Sequence, residues 1–147
     1  LVAIAVALNI LVSGYQLMRL SIGGLMDESD RDTLQRVIEI INRQRASEWI
    51  NVHHLRVMRS GQLHHIDFHM TIPYYWSVEQ AHALNHTVED QISSSLNNNA
   101  RIMVHLDPCK PTLCSSCKVE QCAYRSSPFG SHLEWSVEAL TGDPPGT

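Results

Sequence analysis

His105 and Asp107 stand two residues apart at the end of a short apolar run, Arg101-Ile102-Met103-Val104-His105-Leu106-Asp107-Pro108-Cys109. Side chains of an extended chain alternate faces, so a strand here puts His105 and Asp107 on one face with Met103. Ile102, Val104 and Leu106 go to the other. Pro108 does not extend a ladder, so the imidazole and the carboxylate are expected at a strand end, where a cation has access. A carboxylate with several imidazoles suits a borderline divalent ion, Zn(II) first and Fe(II), Co(II) or Cd(II) after it. Asp107 has two oxygens and is able to bridge two ions.

The other elements matter according to what they deliver to that spot. Nine histidines in 147 residues make metal binding a leading expectation, against the alternative of surface and capping roles. A net charge of −4, with Lys and Arg scattered, leaves no basic stripe for phosphates, so nucleic acid is not an expected partner. The length fits one domain and an appendage.

The chain opens in an apolar run, and Leu1 to about Leu20 is long enough to cross a bilayer core. Asn9, Ser13, Gln16, Gly23 and Asp27 fall within about an 80° arc of a helix at 100° per residue. Such a polar stripe should face protein and not lipid, which implies further membrane helices and a multi-pass protein. The alternative is a buried helix of a soluble protein. Arg19, Arg31, Arg36, Arg43 and Arg45 place the chain beyond this helix on the cytoplasmic side.

Gly23-Gly24 is expected to end the first helix, and the acidic 27–30 stretch to cap a second, about 30–45, with Leu34, Val37, Ile38 and Ile41 inward. Two strands, 51–59 and 63–72, flank Ser60-Gly61 as a hairpin. In the second strand Ile66, Phe68, Met70 and Ile72 face the core, with His65, Asp67 and His69 opposite. Ser77-Val78-Glu79-Gln80 is a capping box for a helix to about Leu96, with His82, His86 and Glu89 along its flank. The order helix, strand, strand, helix, strand describes an open α+β sandwich with helices on one face of a three-stranded sheet. His69, His105 and Asp107 then share the helix-free face. Strict alternation sets His53 beside Leu55 and Val57 on the wrong face, and His82 reaches at most the rim. His54, His64, His65, His86 and His132 are expected at the solvated surface.

The segments Asn51-Val52-His53-His54-Leu55-Arg56, Ile66-Asp67-Phe68-His69-Met70, Gln80-Ala81-His82 and Ile102-Met103-Val104-His105-Leu106-Asp107-Pro108 together resemble the cytoplasmic domain of the cation diffusion facilitators, metal efflux transporters of bacteria. Gly14 to Asp27, with Leu20-Ser21-Ile22-Gly23-Gly24-Leu25-Met26-Asp27, is similar to the end of their last membrane helix. The resemblance covers about 1–108. It implies a ferredoxin-like, metallochaperone-like domain, a homodimer in the inner cell membrane, and proton-coupled export of zinc or of iron, cobalt or cadmium. It also implies that His53, His69 and Asp107 share one ion while His82, His105 and Asp107 share a second. Asp27 matches a position that pairs with a lysine on another membrane helix. Neutral imidazole is the ligand form, so regulation by these ions should weaken on acidification.

After Pro108 the chain departs from that pattern with Cys109, Cys114, Cys117 and Cys122. A central C-x2-C with a thiol on either side suits one tetrahedral zinc; an iron–sulfur cluster, a redox pair and free thiols remain alternatives. Cys109 comes two residues after Asp107, so coupling between the two sites is expected. Leu133, Trp135 and Val137 alternate as in one more strand, Tyr74-Tyr75-Trp76 should pack beneath the extension, and the last seven residues should be disordered. The expected division is 1–26 membrane helix, 27–108 metal-binding domain, 109–140 cysteine-rich extension and 141–147 tail. A metallohydrolase would need a general base beside the metal, and Glu89 and Asp67 have no spacing to recommend them, so no enzymatic activity is expected. The competing reading to a transporter is a membrane-anchored metal sensor or chaperone.

Overall fold

A computed structural model describes residues 2–25 and 30–144; Leu1, 26–29 and 145–147 lie outside the described residues, and with them Asp27. Helix α1, Val2–Leu25, is long and apolar enough over Val2–Arg19 to cross a membrane, with a mean hydropathy of 1.5. None of that window is buried against the rest of the chain. It does not stop at Gly23-Gly24 as the sequence suggested; the helical backbone runs through both to Leu25. Each glycine costs about 1 kcal/mol relative to alanine in a helix, a bias that neighbouring turns override.

Helix α2, Arg31–Gln44, starts at Asp30, whose carboxylate accepts from Thr33 N at 3.1 Å and from Thr33 Oγ1 at 2.9 Å. Burial pushes the Asp30 pKa up, but the Thr33 hydrogen bonds and nearby His64 and Arg59 outweigh it, and the net shift is downward. A lowered carboxylate pKa stabilises the fold above the unfolded value of 3.8, and that contribution is lost as pH falls through the folded value. Asp30→Ala should cost about 1 kcal/mol in urea unfolding at neutral pH, and the difference from the parent should shrink in acid. A cost that is the same at both pH values would remove the cap as its cause.

Strands β1 (Asn51–Ser60) and β2 (Leu63–Ile72) form an antiparallel hairpin whose two-residue loop begins with Gly61 at φ +64, a conformation open to glycine and strained for most side chains. Helix α3, Val78–Ser95, opens with the capping box of Ser77 and Gln80 and crosses back over the sheet, so β3 (Ala100–Pro108) lies parallel to β2. The sheet order is β1-β2-β3. The mixed α+β order of helix, strand, strand, helix, strand stands as the sequence suggested. Val37, Ile38 and Ile41 of α2, Val88 and Ile92 of α3, and Ile66, Phe68 and Met70 of β2 are all buried in one core.

The C-terminal segment differs from expectation. Residues 131–136 form no strand; Leu133 and Trp135 still alternate inward, but the chain is held by α2, with Arg45 donating to the Leu133 carbonyl at 2.8 Å and Asn42 to that of Trp135 at 3.0 Å. Arg45 also lies over the Trp135 ring at 3.7 Å. The extended geometry was legible; its partner was side chains, not a sheet edge. Ser136 then caps a short helix α4, Val137–Thr141, whose Leu140 is fully buried in the main core. The tail therefore begins later than Thr141, because Gly142 O accepts from His54 N at 3.1 Å.

Candidate metal centre

Three strands put three histidines in one row. His53 pairs with His69 in the antiparallel register, and His69 with His105 in the parallel one. Neighbouring strands lie about 4.8 Å apart, and the rings follow that spacing, with centroids 5.1 Å apart for His53 and His69 and 4.6 Å for the stacked His69 and His105. Asp107, one like-facing step further along β3, turns its carboxylate back over the row. Its Oδ2 lies 2.9 Å from His69 Nδ1 and 3.5 Å from His53 Nε2, and its Oδ1 lies 3.7 Å from His105 Nε2.

His53 reaches this face because β1 is irregular. Between His53 and Arg56 the strand carries one residue more than its partner does between His69 and Asp67, a β-bulge, and His54 there has φ +53. The extra residue resets the alternation, so Val52, Leu55 and Val57 all stay in the core while His53 turns to the ligands. Histidine is among the side chains that tolerate the left-handed region better than most, a weak signal that the sequence did contain.

Two further residues join the site, His54, which sequence reasoning had set aside, and Asn51. His54, expected at the solvated surface, has its ring 5.0 Å from His53 and 5.3 Å from His69, and its Nε2 is 3.6 Å from Asp143 Oδ1. Buried Asn51 places its amide 3.5 Å from His53 Nδ1, touching the ring nitrogen that faces away from Asp107. A half-turn of that amide presents either N or O, so it serves either tautomer of the ring.

His82 is placed elsewhere. It is exposed on α3, with its ring against His86 at 4.4 Å and Nε2 to Nε2 at 3.1 Å, and His86 Nδ1 lies 3.8 Å from Glu89. Nothing in the described geometry brings His82 to His105 or Asp107. Helical spacing explains the pairing, since i and i+4 share a face. Of the other histidines set at the surface, His64 is held 3.4 Å from Asp30.

The donor set fits a divalent ion. Among the described residues, His53, His69 and Asp107 are the group whose ligand atoms all lie within 4.8 Å of one another, a spread one ion bonded to N and O at about 2.0–2.2 Å can draw together. Desolvation pushes the pKa of buried His53 down against the opposing pull of Asp107, which keeps the ring neutral and its lone pair available.

A family model described as "Cation efflux protein, cytoplasmic domain" matches residues 29–109, more than half of the chain. The chain belongs to the cation efflux, or cation diffusion facilitator, family. The matched span contains the whole row and Asp107, and stops at the first cysteine. An uncharacterised transporter of Synechocystis sp. is 29% identical over 108 residues, which are 74% of this chain and 34% of that protein. The chain thus spans about a third of that relative's length. Two solved structures are similar. The metal-bound C-terminal domain of the CzcD transporter from Thermotoga maritima is 19% identical, with a TM-score of 0.48 over 54% of this chain and 90% of that one. The cytosolic domain of a cation diffusion facilitator family protein is also 19% identical, with a TM-score of 0.47 over 54% and 92%.

Proposed function

We propose that this cation efflux chain is the membrane-proximal regulatory part of a divalent-metal exporter, with zinc as the first candidate ion. One observation carries the reading: three strands align His53, His69 and His105 in a row, with Asp107 turned over it. In this reading His53, His69 and Asp107 hold a regulatory ion, and His105 extends the site across the second carboxylate oxygen.

The same face supports pairing of two copies. Met103, which shares that face of β3 with His105 and Asp107, is exposed. Like-charged carboxylates brought face to face repel until a cation lies between them, so ion binding shifts an open and closed pair of domains toward the closed one. The chain in detergent micelles should therefore convert from monomer to dimer, or from a loose to a compact dimer, on addition of Zn2+. Analytical ultracentrifugation reads this as a rise in sedimentation coefficient that EDTA reverses. A coefficient indifferent to zinc removes the regulatory reading.

Transport by proton exchange is the activity proposed for the protein to which this segment belongs. Vesicles containing the full-length gene product should show zinc flux that tracks an imposed pH gradient. Flux that ignores the gradient removes the exchange, and absence of flux with zinc binding retained favours an anchored sensor.

A further inference from the structure

Beyond Cys109, at which the family match ends, the cysteine-rich extension lies outside the residues matched to the family, and its thiols are a different donor set from the histidine row. Its four thiols, Cys109, Cys114, Cys117 and Cys122, all line one pocket and form no disulfide. The pocket lies under Tyr74 and Tyr75, and Tyr124 of the extension packs on both, with ring centroids 4.8 Å and 5.7 Å away. Tyr74 and Tyr75 thus pack against the extension, as the sequence suggested, whereas Trp76 of the same loop packs against the main core.

The fold supplies both halves of a thiolate site. One is shape. The guanidinium of Arg125 donates to the carbonyls of Cys114 at 2.9 Å, Cys117 at 2.9 Å and Val119 at 2.7 Å, pinning the central pair and the start of the arc that leads to Cys122. Pro111 starts a 3-10 turn, Pro111–Leu113, that leads into Cys114, and Cys109 N is tied to Ile72 O at 2.9 Å. The other half is charge. Ser126 N donates to Cys114 Sγ at 3.5 Å, and Lys110 and Arg125 line the same pocket. The Ser126 hydrogen bonds and Arg125 favour thiolate at Cys114, whereas burial and the neighbouring sulfurs favour the thiol at Cys109, so there the ion itself has to displace the proton.

From this convergence we infer that the extension is a second metal site, a four-thiolate centre for one soft divalent ion such as Zn2+ or Cd2+. Binding exchanges four thiol protons for one ion: M2+ and four Cys–SH give M(S–Cys)4 with a net charge of −2 and four protons released to solvent. Lys110 and Arg125 offset that charge. The thiols face the pocket at wider spacing than the histidine set, whose ligand atoms alone among the described residues all lie within 4.8 Å. The ion therefore has to draw the arcs inward, and its binding should stiffen the extension.

Cadmium reports thiolate ligation directly, through an ultraviolet charge-transfer band that imidazole and carboxylate do not give. The whole chain in detergent should develop that band up to one equivalent of Cd2+. His69→Ala/Asp107→Ala should keep it, and Cys114→Ser/Cys117→Ser should lose it while retaining ion binding at the histidine row. In the unaltered chain, Zn2+ should slow alkylation of the four cysteines by N-ethylmaleimide at least about tenfold, since metal-bound thiolate is shielded; this arm does not depend on any variant folding. Absence of the band together with undiminished alkylation overturns the site. So does visible absorption of an iron–sulfur cluster in the anaerobically purified chain.

Discussion

Asp107→Ala should weaken Zn2+ binding at the histidine row by about a hundredfold or more, measured by calorimetry with the cysteines blocked. Even outer-shell partners of a metal ligand typically cost ten- to a hundredfold when removed, and Asp107 is more central than that. Among the described residues it is the carboxylate whose oxygens face all three imidazoles of the row, at 2.9, 3.5 and 3.7 Å. Alanine removes the carboxylate of the His53/His69/Asp107 set and leaves two imidazole nitrogens. Asp107→Asn is the sharper variant, because it preserves the shape and the hydrogen bond from His69 while deleting the charge. Affinity close to that of the parent in both variants would move the ion away from this carboxylate. His82→Ala supplies the contrast, since that ring is paired with His86 on α3 and its loss should leave the site's affinity within about twofold.

How far these residues were legible from sequence depends on which interaction set their positions. The inward faces of α2, β2 and β3 come from a hydrophobic period of 3.6 or 2, and Leu34, Val37, Ile38, Ile66, Phe68 and Met70 are buried as that period requires. Caps are local chemistry, and Asp30 and Ser77 cap as their neighbours suggest. His53 was different. Its face depends on a one-residue bulge, and a bulge is fixed by the register of two strands and not by the composition of one. Alternation taken alone therefore sent it to the core side. His82 illustrates the converse, because a residue on a helix flank has several neighbours within reach, and spacing cannot rank them. His54 was classed with surface histidines for want of any sign that Asp143, far along the chain, returns to within 3.6 Å of it.

Leu140→Ala should cost about 2–5 kcal/mol in unfolding free energy, a large share of the total for a domain of this size. Leu140 is fully buried, and α4 packs against β1 and α2, so truncation leaves a cavity with few ways to collapse. Urea unfolding monitored by tryptophan fluorescence is suited to the measurement, since Trp49 and Trp135 are buried in the same core. A cost below about 1 kcal/mol would mean that α4 is dispensable to the fold. The expected loss also has a consequence at the metal centre. Gly142, just past α4, accepts from the backbone N–H of His54, the residue whose left-handed conformation makes the bulge. Loosening α4 releases that bond and, with it, a constraint that keeps His53 on the ligand face. The same substitution should therefore weaken zinc binding even under conditions where the domain stays folded. In a variant such as Ile92→Ala, which opens the core beneath α3 without removing an α4 side chain, a similar loss of stability should leave the affinity unchanged.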